Sequence, residues 1–444
     1  MTNSIAPPLQ QPLWRLLQAT AQVVQDVRRG SSGNTAIAAV HATLRPGVQA
    51  LAFQVWRNLG RAEALRKLLA PRKPSAAVDA LLCTVLALVW DPVSAPYDDF
   101  TLVNQAVDAA KKQVSTRPQA SFLNACLRRF LRERAALVAQ TDADPVAVWN
   151  HPAWWIAKVQ TAYPDRWQGF LEAANSHPPM ALRVNARRNT AVDYLVLLKE
   201  AGIGAQMQAG GAVLLDAPLP VAHIPGFLDG VVSVQDAAAQ MAAPLLLGGW
   251  KGTPPTSVLD ACAAPGGKTG HLLELCDAQV LALEIDGQRC ERIAENLSRL
   301  GMQALVQVAD AGKPASWWNG EMFDAVLLDA PCSASGIVRR HPDIRWLRRE
   351  SDIAALVAIQ RELLQNLWAL VKPGGRLLYC TCSLFLEEGA QQVQTFLTHN
   401  TDARLLPSPG HLLPQIGAKT GDLPDNQAGD HDAFYYALLE KRPV

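Results

Sequence analysis

Apolar positions in this chain fall into two regimes. Over residues 13–140 they recur three and four apart, the spacing that gives a helix one buried face. Ala76–Val89 is almost continuously apolar and predicts a helix buried on all sides at the centre of a bundle. Residues 100–114 and 120–137 predict two further helices. Pro71, Pro74, Pro92, Pro96 and Pro118 mark the breaks, since proline lacks the N–H that a helix needs. After a linker near 141–152, residues 154–175 predict one amphipathic helix ended by Pro178 and Pro179. Short strand-like pieces at 181–184 and 212–215 flank a helix over 190–200.

From residue 257 the rhythm changes. Apolar strands at 257–262, 279–285, 304–308, 325–329 and 375–379 are interleaved with helices, among them 268–275 and 288–300. Strands separated by helices imply parallel pairing with helices on both faces of the sheet. Residues 401–430 are rich in Pro and Gly and predict a loop before a last strand at 433–439. The expected architecture is α/β: an all-α domain at 1–145, a small α/β connector at 146–235, and a domain with a doubly wound, mostly parallel sheet at 236–444.

Composition excludes several classes. Hydrophobic residues make up 49% and charged residues 18%, so large cores are possible and wholesale disorder is not expected. No run of about 18 uncharged apolar residues occurs, so no membrane span is expected. Residues 1–11 lack the basic patch and apolar run of a secretory leader, which makes the cytoplasm the expected location. The 8 cysteines are too sparse for a disulfide scaffold. None stands in a Cys-x-x-Cys pair and no His-x-x-x-His accompanies them, so no metal is expected.

The net charge of +1 conceals a split. Residues 1–140 hold 17 Lys and Arg against 8 Asp and Glu, leaving 24 against 32 for the rest. A basic N-terminal third suits a polyanionic partner, although basic helices with solvated faces would show the same balance. Arg128, Arg129, Arg132 and Arg134 cluster late in one helix, where cations also favour the C-terminal dipole.

The sharpest local signal runs from Asp260 to Thr269, Asp-Ala-Cys-Ala-Ala-Pro-Gly-Gly-Lys-Thr, between a strand and a helix. Glycines there permit a tight turn and close approach to a ligand, with free N–H groups at the helix start behind them. A phosphate-binding loop would read G-x-x-x-x-G-K-[ST]. Gly267, Lys268 and Thr269 fit its end, but its first glycine would fall on Cys262. The competing ligand is a cofactor with a ribose and no phosphate, which needs an acid at the tip of the second strand. Glu284 and Asp286 lie at the expected distance of about 20 residues. Asp310, after the third strand, is placed to reach an adenine amino group. Candidate cofactor contacts are therefore Cys262, Ala263, Ala264, Pro265, Gly266, Gly267, Lys268, Glu284, Asp286 and Asp310, with helix-start acids as the plain alternative for Glu284 and Asp286.

A fourth strand ends in Asp329 and runs into Pro331-Cys332; a fifth runs into Cys380-Thr381-Cys382. Ligands of a doubly wound sheet sit beyond the carboxyl ends of its strands, so Asp329, Cys332 and Cys382 are expected to share one crevice with the loop. Cytosine carbon 5 is too weak a nucleophile to take a methyl group unaided, and addition of a thiolate to carbon 6 activates it. Asp329 could hold the base edge. The other cysteines, Cys83, Cys126, Cys276 and Cys290, read as inert buried thiols.

These blocks resemble those of the RNA cytosine-5 methyltransferases. The resemblance implies a Rossmann-like methyltransferase domain with S-adenosyl-L-methionine as cofactor. It implies Cys382 as the catalytic nucleophile, Cys332 as the residue that assists release, and Asp329 as a cofactor and catalytic contact. Glu284 departs mildly from the Asp usual in that family, and Cys380 has no family role. The helical N-terminal region resembles the NusB-type RNA-binding domain. Its union with such a methyltransferase implies a cytosine in 16S ribosomal RNA as target; no membrane partner and a monomer are expected. The run 337–349 carries five arginines, and Arg339, Arg340, His341, Arg345 and Trp346 are candidate RNA contacts by phosphate neutralisation and base stacking. A surface helix with scattered charge is the plainer reading of that run. Transfer RNA as substrate, a non-catalytic RNA-binding assembly factor and a P-loop ATPase remain the rival readings.

Overall fold

The computed structural model describes residues 11–250, 253–414 and 430–443. The chain forms two compact units, one of residues 1–175 with 338–348 and one of residues 176–337 with 349–444.

The first unit is helical. Ala76–Val89 is its central helix, with every side chain from Val78 to Val89 buried, as its apolar run demands. Leu13–Arg28, Arg45–Leu69, Asp99–Lys112 and Ala120–Thr141 surround it and supply most of one continuous core. Asp98 caps its helix by accepting the Thr101 N–H, and Asp144 does the same for Val146. The single helix expected over 154–175 is two, Ala153–Ala162 and Trp167–Asn175. Pro164 explains the break, because the residue before a proline is driven out of the helical region. These helices pack with the helical unit, while the expected connector, 146–235, begins before them.

The second unit holds two sheets. The smaller consists of β1 (Met180–Val184), β2 (Ala205–Met207), β3 (Val213–Leu215) and β4 (Val232–Val234) in the antiparallel order β2-β3-β1-β4. Leu182, Tyr194, Leu198, Val213 and Val232 form its core under helix Ala191–Glu200.

The larger sheet has β5 (Ser257–Asp260), β6 (Gln279–Glu284), β7 (Leu305–Val308), β8 (Phe323–Asp329), β9 (Val371–Thr381), β10 (Ala403–Leu412) and β11 (Phe434–Lys441). Their order is β10-β11-β9-β8-β5-β6-β7. The five strands from β5 to β9 pair in parallel, and β11 and β10 close the far edge antiparallel. The mixed α/β class with a mostly parallel sheet is as expected. The loop expected over 401–430 is not: Ala403–Leu412 is an edge strand. Pro407 and Pro409 hid it, but an edge strand tolerates proline, and the register shifts between Leu406 and Gly410 to accommodate them. Residues 415–429 of that expectation, like residues 1–10 of the leader reading, lie outside the described residues. Among the described residues no helix is long and apolar enough to cross a membrane.

Candidate active site

Strand order reverses beside β5, where β6 and β7 lie on one side and β8 and β9 on the other. Such a reversal leaves a crevice at the carboxyl ends of the strands. The loop after β5 enters it tied to both neighbours. The Ala261 N–H bonds Leu327 O at 2.9 Å, and the Ala263 N–H bonds Leu283 O at 2.9 Å. Gly266, at φ 90°, takes the left-handed conformation that opens helix Gly267–Leu275. A Cβ there would stand 3.2 Å from the Ile293 backbone, so a side chain would strain the turn and crowd Ile293 as well. Asp260 is fully buried and accepts the Thr269 hydroxyl at 2.7 Å. Burial, with Asp329 and Glu284 adding their charge, pushes its carboxyl up to about 7 against the help of Thr269.

Glu284 ends β6 with only 4% of its surface exposed, while Arg289 reaches it at 3.4 Å. Asp286 is exposed and caps the next helix, accepting the N–H of Gln288 at 2.8 Å and of Arg289 at 3.3 Å. The helix-start alternative thus describes Asp286, and Glu284 is the acid at the strand tip. Asp310, half-buried after β7, accepts the Gly312 N–H and pairs with Lys313 at 3.1 Å.

β8 and β9 pair so that Asp329 lies opposite Cys380. Asp329 accepts from the Lys268 ammonium at 2.5 Å and from the Cys380 thiol at 3.4 Å. Burial works against the charge on Lys268, but Asp329 and the neighbouring thiols outweigh it and hold the ammonium above its usual range. Cys380 is wholly buried and its thiol is pushed well up by burial, with Asp329 adding to the effect. Just past these two strand ends, the sulfurs of Cys332 and Cys382 lie 3.5 Å apart. Cys332 is buried and Cys382 half-exposed. The hydrogen bond between the sulfurs, and then burial, raises the Cys332 thiol well above its ordinary value, so it stays protonated at neutral pH.

The arginine-rich run fares differently. Arg345 is fully buried inside the helical unit, donating to Asn150 O at 3.1 Å, Ala174 O at 2.6 Å and the Asn175 side chain. Burial and the nearby Arg57 lower its guanidinium to about 9. Trp346 packs on the helical core and donates to Trp56 O at 2.8 Å. Arg339 is buried too, and its carbonyl accepts Arg57 at 2.7 Å. Arg345 has no exposed surface and Trp346 is partly buried, and the polar groups of both meet protein; charge repeated in a sequence does not say which way it points. Arg340 and His341 are half-buried.

Sequence reasoning missed the residues behind the thiols. Ser333 and Ser383 each follow a cysteine, and both donate to the buried carboxylate of Glu388. The repeated Cys-Ser pair was a visible signal for the serines; nothing local marked Glu388. Among the described residues no group of three or more His, Cys, Asp or Glu is placed to hold a metal ion.

A glycine turn, a buried acid at the next strand tip and a thiol pair beside a Lys–Asp pair thus stand together at the switch point of a doubly wound sheet. Comparison with known proteins gives the family. The model of the 16S rRNA methyltransferase RsmB/F family matches residues 251–440, and that of its ferredoxin-like domain matches residues 151–222. The ribosomal RNA small subunit methyltransferase B of Vibrio cholerae is 40% identical over 96% of both chains. The protein of that name from Pasteurella multocida is 41% identical over 89% of this chain and 88% of its own. In fold, the crystal structure of PH0851 superposes with a TM-score of 0.75 at 24% identity, covering 98% of this chain and all of that one. A methyltransferase homologue from Pyrococcus horikoshii gives 0.55 at 26% identity over 67% of this chain and 98% of its own. The chain belongs to the 16S rRNA methyltransferase RsmB/F family and is a methyltransferase that uses S-adenosylmethionine. The ATPase reading falls with that result.

Proposed function

We propose that the chain methylates carbon 5 of one cytosine in 16S ribosomal RNA, in the cytoplasm, through a covalent bond between Cys382 and the base. The observation that carries this reading is the 3.5 Å approach of the Cys332 and Cys382 sulfurs beside the Lys268–Asp329 pair.

The residues present suit the cofactor. Glu284 is a buried carboxylate able to accept ribose hydroxyls, the Gly266–Gly267 turn gives close backbone approach, and Asp310, after β7, would accept the adenine amino group. S-adenosylmethionine supplies an electrophilic methyl group.

The Cys382 thiolate adds to carbon 6, forming a sulfur–carbon bond and moving the ring electrons so that carbon 5 becomes enamine-like. The Lys268 ammonium interacts favourably with that thiolate. Asp329 holds the polar edge of the base and relays a proton from the Lys268 ammonium to the ring as carbon 6 is attacked, and the ring returns that proton by the same route when carbon 6 is released. Once carbon 5 carries the methyl group, its proton must leave and the sulfur–carbon bond must break. Cys332, a protonated thiol, gives its proton to the departing sulfur and takes the carbon-5 proton in return, so no charge accumulates. A paired cytosine has to leave its stack to reach Cys382. Arg339, Arg340 and His341 are the other RNA-contact candidates in their run.

The test is transfer of tritium from labelled S-adenosylmethionine to unmethylated 16S rRNA. One labelled cytosine, a dead Cys382→Ala protein and a trapped protein–RNA adduct in Cys332→Ala are expected. Labelling of transfer RNA instead would overturn the substrate, and an active Cys382→Ala protein would overturn the mechanism.

A further inference from the structure

Between the two cysteine loops lies a carboxylate that the chemistry above does not touch. Glu388 has no exposed surface. Its Oε1 accepts the Ser333 N–H at 2.8 Å and the Gln360 carboxamide at 3.1 Å. Its Oε2 accepts the hydroxyls of Ser333 at 2.5 Å and Ser383 at 2.6 Å. Its carbonyl takes the Tyr379 hydroxyl at 2.8 Å and that of Thr381 at 3.2 Å. Ser333 is the residue after Cys332, and Ser383 the residue after Cys382. One side chain thus grips both loops immediately beside their thiols.

These donors are neutral, so burying the charge carries a desolvation cost that only dipoles offset. A carboxylate is nonetheless the one side chain that suits. It is acceptor-only, with about four lone-pair sites, and can receive all four donors at once. A glutamine there would turn an N–H₂ group against donors from both loops.

We infer that Glu388 is a positioning residue for both thiols, holding the Cys332 and Cys382 loops in the register that brings their sulfurs to one point. The inference rests on the two-cysteine reading of the site. Its negative charge also adds to what keeps the Cys332 thiol protonated, behind the sulfur contact and burial.

The grip has two halves, and each can be loosened separately in the full chain, assayed on unmethylated 16S rRNA transcript. Glu388→Gln is expected to lower kcat about 100-fold with the KM for S-adenosylmethionine within about twofold, the pattern of misplaced reacting groups rather than lost binding. Ser383→Ala, beside the nucleophile, is expected to slow adduct formation about tenfold. Ser333→Ala, beside the release residue, is expected to leave formation intact and let adduct accumulate about tenfold. The charge beside Cys332 has its own readout. In a Cys382→Ala background, peptide-resolved alkylation of Cys332 is expected to reach half its maximum at lower pH once Glu388→Gln removes the charge. The inference is overturned if Glu388→Gln keeps kcat within about threefold, or if the two serine variants slow both steps alike. The outcomes separate cleanly. If Cys332→Ala never yields an adduct, the two-cysteine reading falls and this inference with it. If that adduct forms but the Glu388 and serine variants turn over normally, only the inference falls.

Discussion

Residues 329–335 and 337–349 are neighbours in the chain and carry its two densest concentrations of chemistry, yet the fold treats them in opposite ways. Asp329 and Cys332 stay at the end of β8, facing Lys268 and Cys382. Arg345 and Trp346, a dozen residues on, are turned inward against the carbonyls of the helical unit. The difference is one of constraint. A strand end in a parallel sheet has a known direction, so a residue type there already implies a place. An arginine run implies a charge and no direction. Its long side chains satisfy buried carbonyls as readily as they meet phosphate.

The sharpest way to break this contrast is to remove one member from each side. Cys382→Ala is expected to cut methyl transfer by at least about a thousandfold, as loss of a covalent nucleophile does, with thermal unfolding unchanged. Arg345→Ala is expected to destabilise the helical unit by about 3 kcal/mol or more in denaturant titration, because three buried acceptors lose their donors together. Lysine should rescue little, since a single ammonium cannot reproduce the planar fork. A stable Arg345→Ala protein with weakened RNA binding would reverse the assignment. Next in size, Glu284→Ala should raise the KM for S-adenosylmethionine about tenfold, with Glu284→Asp much milder, since a carboxylate is retained.

The smallest effect concerns the buried Asp260. Its folded carboxyl titrates at about 7, above its ordinary 3.8, so between those values the folded state keeps a proton that the unfolded chain has lost. Stability from this group is present at low pH and drains away as pH rises toward 7. His271, lowered to about 3 by burial, contributes the opposite trend, gaining stability as pH rises from 3 to 6.5. Asp260→Asn removes only the first, so its unfolding free energy should climb more steeply with pH over that window than that of the native protein.

Much of the site was legible because its signals are short-range. The Asp260–Thr269 loop, the acid at 284 and the two cysteine motifs each sit at a strand end that apolar runs disclose. The buried fate of Arg345 and the hub at Glu388 were not legible. Both depend on which distant backbone groups need partners, Asn150 and Ala174 for one and Ser333 for the other, and burial of a charge has no local pattern. Ala403–Leu412 failed for a different reason: its prolines argue correctly against a central strand but not against an edge.

The insertion at 338–348 also fixes how the polypeptide can be dissected. The chain leaves the helical unit after Asn175, returns to it at Val338 and departs again after Arg348. A fragment starting at Ser176 would therefore carry a strip bearing Trp346 and Leu347 stripped of the helical bed they cover. Cutting this protein in two yields no clean catalytic half, and a minimal version has to keep both pieces or rebuild that strip.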